Sequence, residues 1–347
     1  MRISAALPTG MAALLFEAAR RRRELEGRMV GELDAAGYSE VILPILDYFE
    51  PYEPFLTDAS RGELYRFIDR DGELLALRAD FTPMLARLLA PRLPALDLPL
   101  RLFYRGDVVR YQEERAGRQR EFYQVGAELL GVEGAPAALE VLRLFLRLLL
   151  LGRVRPLRVV LGFAGALDRL LLAGGGGEVA AEIAAAVARR ERGAAGRLGP
   201  SLRRLVRDGV PADPADLGEQ AAGKLALLTA VRDELAAEFR GVELSIDLAE
   251  FAHQSLDHDL LTASGARAYY DGLLFRAYAG GRGQPVGAGG RYDRLFKMLG
   301  AEVPAIGFSL DLERLINGHD RGGDGRGGSV GSGADAGSRE TTTEVPR

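Results

Sequence analysis

Cysteine is absent from the 347 residues, so disulfides, thiolate nucleophiles and zinc–thiolate sites are excluded. Histidine is scarce, confined to His253, His258 and His319. The first two stand five apart, a spacing that puts them on different helix faces and argues against a helical metal pair. Excess charge is missing too: 45 Lys+Arg against 49 Asp+Glu leaves −4. That balance argues against a general nucleic-acid coat or a polybasic membrane binder, while leaving room for a local basic groove. The longest largely apolar stretch, Leu142 to Leu151, is broken by Arg143 and Arg147 and falls far short of the ~20 residues that cross a bilayer. Near the N-terminus the apolar stretch precedes Arg20 to Arg23, the reverse of a secretory signal. The expectation is a cytoplasmic protein with no membrane association, metal or cofactor. Lysine occurs only at Lys224 and Lys297, which reads as base composition rather than a functional preference for guanidinium.

What is present is ordinary for a globular chain: 47% hydrophobic and 27% charged residues. At ~150 residues per domain the length suggests about two units. Residues 11–36 have apolar positions at helical spacing, and Gly37 ends that helix. Tyr38 to Pro44 reads as a strand closed by proline. Strands at Glu63–Asp69 and Glu73–Arg78 flank an Asp-Gly hairpin turn, and a helix follows at Phe81–Leu89. Residues 100–110 and 121–130 form a second strand pair, Pro136–Leu151 a helix and Leu157–Leu161 a buried strand. From Gly165 to Arg240 the composition turns to Ala, Leu and Arg with interspersed Gly and Pro, which reads as a helical insertion. Strand signals return at Val242–Asp247, Ala268–Tyr278 and Ala305–Phe308, before a helix at Ser309–Asn317. The Gly/Ser/Thr-rich residues from 318 onward have too little apolar surface to order themselves. Hairpins rather than regular crossovers predict an α+β fold with an antiparallel sheet flanked by helices.

Four segments carry polar groups in suggestive order. In Glu121–Leu129, period two puts Phe122, Gln124, Gly126 and Glu128 on one face and Tyr123, Val125, Ala127 and Leu129 on the other. An amide and an acid flanking a glycine suit a pocket floor, and a solvated sheet face is the competing reading. The loop from Tyr111 to Arg120 carries Arg115, Arg118 and Arg120, either as anion holders or as a solvated mixed-charge run. Gly287 to Asp293 reads as a glycine-rich turn without the spacing of a nucleotide fingerprint. Arg314 could reach an anionic ligand or pair with Asp311 three residues back.

Together these segments resemble the core of class II aminoacyl-tRNA synthetases, specifically histidyl-tRNA synthetase, over roughly residues 8–317. Ile42-Leu43-Pro44 resembles the dimer-forming first motif. Val109 to Gln112 with Arg120 to Glu128 resembles the second. Gly289 to Asp293, Pro304 to Phe308 and Leu312 to Leu315 resemble the third. Leu77 to Pro83 is similar to the loop that holds the amino-acid ammonium group. Three departures stand out. Gly265 occupies the place, four residues before Tyr269-Tyr270, of the arginine that helps activate histidine; losing such a group costs on the order of 10²–10³ in rate. Arg267 is displaced by two residues, about 6–7 Å of extended chain, so it does not substitute in place. Gln112 replaces a glutamate, and the ~30 residues after the third motif leave no anticodon-binding domain.

Those losses resemble the synthetase-like regulatory subunits of ATP phosphoribosyltransferase, which act at the first step of histidine biosynthesis. The resemblance implies a core over 1–317, interrupted at about 165–241, with a tail at 318–347. It implies no catalytic residue and a histidine pocket. There Asp80, Thr82 and Glu128 face the ammonium group, Arg110 and Gln124 the carboxylate end, and Tyr269 and Tyr270 cover the ring. Arg314 is implied as a residual nucleotide-site arginine. The implied partners are a catalytic short-form phosphoribosyltransferase chain, a second copy through the first motif, and L-histidine as effector, with no tRNA. An active histidyl-tRNA synthetase or stand-alone histidine-activating enzyme is the alternative. Arg276 follows Phe275 where the family usually shows an acidic or neutral residue, and the sequence offers no account of it.

Overall fold

The computed structural model describes residues 6–56, 58–111, 119–173, 177–191, 200–253, 270–281 and 283–316. Eleven strands among them run β1 (Ser39–Glu40), β2 (Leu46–Tyr48), β3 (Arg66–Ile68), β4 (Leu74–Leu77), β5 (Leu100–Val109), β6 (Glu121–Leu130), β7 (Leu157–Phe163), β8 (Glu243–Ile246), β9 (Leu273–Ala279), β10 (Gly287–Arg291) and β11 (Ala305–Asp311). Eight of them form one sheet in the order β1-β5-β6-β11-β10-β9-β7-β8, and β2-β4-β3 form a small second sheet. The architecture is α+β, as the strand and hairpin pattern implies.

The centre of the large sheet is antiparallel, but both edges are not. β1 runs parallel to β5, and β8 parallel to β7. Parallel neighbours need a long crossover, and the Ala/Leu/Arg-rich stretch supplies one. Its helices Asp168–Ala173, Gly177–Ala188, Pro200–Asp208 and Glu219–Glu238 pack into the same apolar core as the sheet.

Two local expectations change. Tyr38–Pro44 does not continue as one strand: only Ser39–Glu40 pairs, and after Pro44, which lacks an N–H, the chain crosses to the small sheet. Gly287–Arg291 is not a turn but the strand β10, between β9 and β11. Glycine is a poor strand former by itself. Here the neighbours come so close that a side chain would collide: a Cβ on Gly289 would lie 2.2 Å from the Gly307 carbonyl, and one on Gly290 2.5 Å from that of Leu273. Close backbone approach, rather than turn chemistry, selects these glycines. β11 also runs three residues beyond Phe308, so the last helix begins at Leu312.

The sheet has two faces with different work. One carries Phe103, Ala127, Phe308 and Phe275, and the helix Gly134–Leu151 lies against it. Phe145 of that helix meets Phe275 and Phe308 edge-on, with ring centres 4.9 and 5.1 Å apart. The other face carries Gln124, Gly126 and Glu128 opposite Gly106, Tyr104 and Leu102. Because the aromatic contact is central and fully buried, Phe145→Ala should cost about 3–5 kcal/mol. Urea unfolding checks this, and a loss below about 1 kcal/mol would contradict a close-packed junction.

Candidate functional site

The site grows from the crossing of β5 and β6 with the turn Arg78–Thr82. Arg78 is buried and donates to the carbonyls of Leu43 (2.7 Å), Pro44 (3.0 Å) and Asp107 (2.7 Å from Nη2). Its guanidinium stacks 3.9 Å from the centre of the Phe81 ring. Gly106, at φ +149°, makes room, since a Cβ there would meet Arg78 Nη2 at 2.9 Å. This staple presents Asp80, whose Oδ1 accepts from the Thr82 N–H at 3.1 Å at the start of the helix Thr82–Leu89. The three acceptors of Arg78 are backbone carbonyls, so no local motif marks this role in the sequence.

A cavity of about 230 Å³ opens over this turn, lined by Asp80, Arg110, Gln124, Tyr270, Asp311 and Arg314 among others. That is below the ~300–1,000 Å³ of drug-sized sites and suits a single small polar ligand. Arg110 Nε donates to the Ala79 carbonyl at 2.7 Å, and its Nη2 lies 3.9 Å from Asp80 Oδ2. Gln124 is buried, and its Oε1 has no hydrogen-bond partner. Gln124 lines the cavity, and a sealed amide oxygen left without a donor is the acceptor that a ligand N–H would satisfy. Arg314 does both things open to it in the sequence: it pairs with Asp311 (Nε to Oδ2, 2.9 Å) and lines the cavity. It also donates from Nη1 to the Pro285 carbonyl at 2.9 Å and lies over the Phe122 ring. Burial raises the Asp311 carboxyl above its ordinary range, opposed by the Arg314 charge.

Thr82 and Glu128 are not among the residues lining that cavity. They are buried and bonded to each other, Thr82 Oγ1 to Glu128 Oε1 at 2.7 Å. Tyr104 and Tyr292 also give their hydroxyls to this carboxyl, at 3.2 and 2.6 Å. Gly307 admits it: a Cβ there would lie 1.5 Å from Glu128 Oε2. Burial pushes the Glu128 carboxyl up to about 8, against the opposing effect of the hydroxyls. Tyr104 lies over Gly126 and stacks on Phe81 at 4.2 Å, so it closes the floor between Gln124 and Glu128. Tyr269, Gly265, Arg267, Gln112, Arg115, Arg118 and the tail from 318 lie outside the described residues. Among the described residues no three His, Asp or Glu side chains group as metal ligands, and no helix is long and apolar enough to cross a membrane.

The family model of histidyl-tRNA synthetases matches residues 10–315. An ATP phosphoribosyltransferase regulatory subunit from Moorella thermoacetica is 36% identical over 330 residues, covering 89% of this chain and 81% of that protein. A crystal structure from Bacillus halodurans, described as an ATP phosphoribosyltransferase regulatory subunit/histidyl-tRNA synthetase, superposes with TM-score 0.74 at 26% identity, over 92% of this chain and 84% of that one. A chain of the ATP phosphoribosyl transferase (HisG:HisZ) complex from Thermotoga maritima shares the fold, with TM-score 0.61 at 19% identity over 84% and 97% of the two chains.

A carboxyl whose folded pKa lies above its unfolded one keeps a proton that the unfolded chain has released. Glu128 therefore costs stability as pH rises from its ordinary 4.5 towards about 8. Thermal melts of Glu128→Gln should lose that part of the decline between pH 5 and 8; a decline identical to the parent chain's would contradict the buried neutral carboxyl.

Proposed function

We infer the function from the premise that this chain belongs to the ATP phosphoribosyltransferase regulatory subunits, a family built on the histidyl-tRNA synthetase fold. It is accordingly a non-catalytic regulatory subunit acting in histidine biosynthesis, and its partner is the catalytic ATP phosphoribosyltransferase chain.

The finer reading concerns the cavity, which we take as the effector site for L-histidine. One observation carries this: Asp80, Arg110 and Gln124, whose amide oxygen is unpartnered, line a single small cavity. An amino-acid zwitterion needs both charge signs and a neutral acceptor close together. The Asp80 carboxylate suits the ammonium group, Arg110 the carboxylate, and Tyr270 lies where it can cover the ring. Glu128, bonded to the Tyr104 and Tyr292 hydroxyls, does not line the cavity and instead braces the floor that Tyr104 closes. Thr82 supports that floor through its bond to Glu128 rather than facing the ligand.

Feedback then needs no chemistry in this chain. Histidine lowers turnover in the partner by binding one arrangement of the complex better than another, a differential of typically ~1–3 kcal/mol. The cytoplasm is the compartment in this reading, and tRNA is not a ligand. Self-association uses the region of the first motif. Ile42 (89% exposed) and Ile68 (71%) stand there with Tyr48, Phe67 and Leu74, apolar side chains that a second copy would cover.

Mixing the chain with its catalytic partner should raise phosphoribosyl transfer, and histidine should lower it again. Gln124→Leu should keep the activation and raise the half-inhibiting histidine concentration by about tenfold or more. No rise on mixing would refute the regulatory role, and unchanged inhibition in Gln124→Leu would refute this cavity as the effector site.

A further inference from the structure

Arg276 of β9 stands directly opposite Ala288 of β10, and Ala288 lines the cavity. Opposed residues on neighbouring strands project to one face, with Cβ atoms about 4.5–5.5 Å apart. A guanidinium on a long flexible stem therefore rises beside the cavity wall. Its present partner is elsewhere: Nη1 donates to Glu250 Oε1 at 2.9 Å, and the guanidinium lies over the Phe251 ring, 5.1 Å from its centre. The same Glu250 oxygen also accepts the Tyr278 hydroxyl. The pair is open to water, with 27% of the Arg276 side chain and 25% of the Glu250 side chain exposed. Part-exposed ion pairs are weak and exchange partners readily.

The arginines that line the cavity are already engaged. Arg314 is held by Asp311 and the Pro285 carbonyl, and Arg110 by the Ala79 carbonyl and Asp80. Each keeps a protein carboxylate beside it, so a ligand carboxylate met by Arg110 still lacks a second, uncommitted cation. We propose that Arg276 is a carboxylate-binding residue of the cavity, its guanidinium leaving Glu250 for the ligand's carboxylate when an α-amino acid binds. Glu250 is not orphaned by the exchange, because Tyr278 continues to donate to it. A ligand carboxylate enclosed in the cavity is less hydrated than Glu250 and makes the stronger charge-assisted bond. Arg276 thus selects amino acids that carry a free carboxylate over amines of the same side chain. This rests on reading the cavity as an amino-acid site.

Calorimetric titration of the full chain with L-histidine and with histidinol, which has a hydroxymethyl group in place of the carboxylate, separates the possibilities. Arg276→Met keeps the apolar stem over Phe251, and should weaken histidine by about tenfold or more while leaving histidinol within about twofold. Glu250→Gln removes the competing charge and should tighten histidine several-fold. Equal losses for both ligands in Arg276→Met, or no loss for histidine, would overturn the proposal. If Arg276→Met melts early, Glu250→Gln decides, and unchanged or weaker histidine binding there overturns it. A parent chain that binds neither ligand overturns the amino-acid reading of the cavity and this inference with it.

Discussion

The cavity depends on a carboxyl group buried without a cation. Glu128 is 1% exposed and bonded only by hydroxyls among the described residues, those of Thr82, Tyr104 and Tyr292. Such a group stays neutral near physiological pH because charging it would forfeit hydration that three hydroxyls replace only in part. Its placement constrains everything around it. Gly307 must lack a side chain, Tyr104 must lie flat over Gly126, and the Thr82 turn must pack against β6. The Arg78 staple and the Asp80 cap follow, since both hold that turn in place.

A second buried glutamate shows what difference a cation makes. Glu26, also 1% exposed, is pushed up by burial but held below its ordinary range by the Tyr123 hydroxyl, by Arg105 and by Arg23. Its bonds to Arg105 and Arg23 are 2.7 and 2.8 Å. That carboxylate is complete, tying the helix Phe16–Ala35 to β5 and β6, and has no capacity left for a ligand. Glu128 lacks such a partner, so burial holds its carboxyl above the ordinary range. The contrast separates a carboxylate held charged by cations from a carboxyl held neutral by hydroxyls, although both are glutamates sealed from water.

Much of the cavity is legible in the sequence because its parts lie on regular elements. Period two in Glu121–Leu129 places Gln124, Gly126 and Glu128 on one face without any knowledge of the fold, and Asp80 lies within a short run ahead of a helix. The hidden parts arrive from far along the chain. Tyr104 and Tyr292 reach Glu128 from 24 and 164 residues away, and neither hydroxyl differs locally from any other tyrosine. β10 was opaque for another reason: local propensity reads Gly287–Arg291 as a turn, whereas contact with β9 and β11 makes it a strand. The parallel edge β7–β8 is likewise invisible until the helical crossover between them is placed. Arg276 is the reverse case, conspicuous in the sequence yet given a partner, Glu250, only by the fold.

The packing around the cavity therefore depends on the protonation state of one side chain. Carbon-13 NMR of the Glu128 carboxyl, assigned by its loss in Glu128→Gln, measures it directly. The free chain should titrate this carbon with a midpoint near pH 8. A midpoint near 4.5 would contradict a carboxyl kept neutral by burial among hydroxyls.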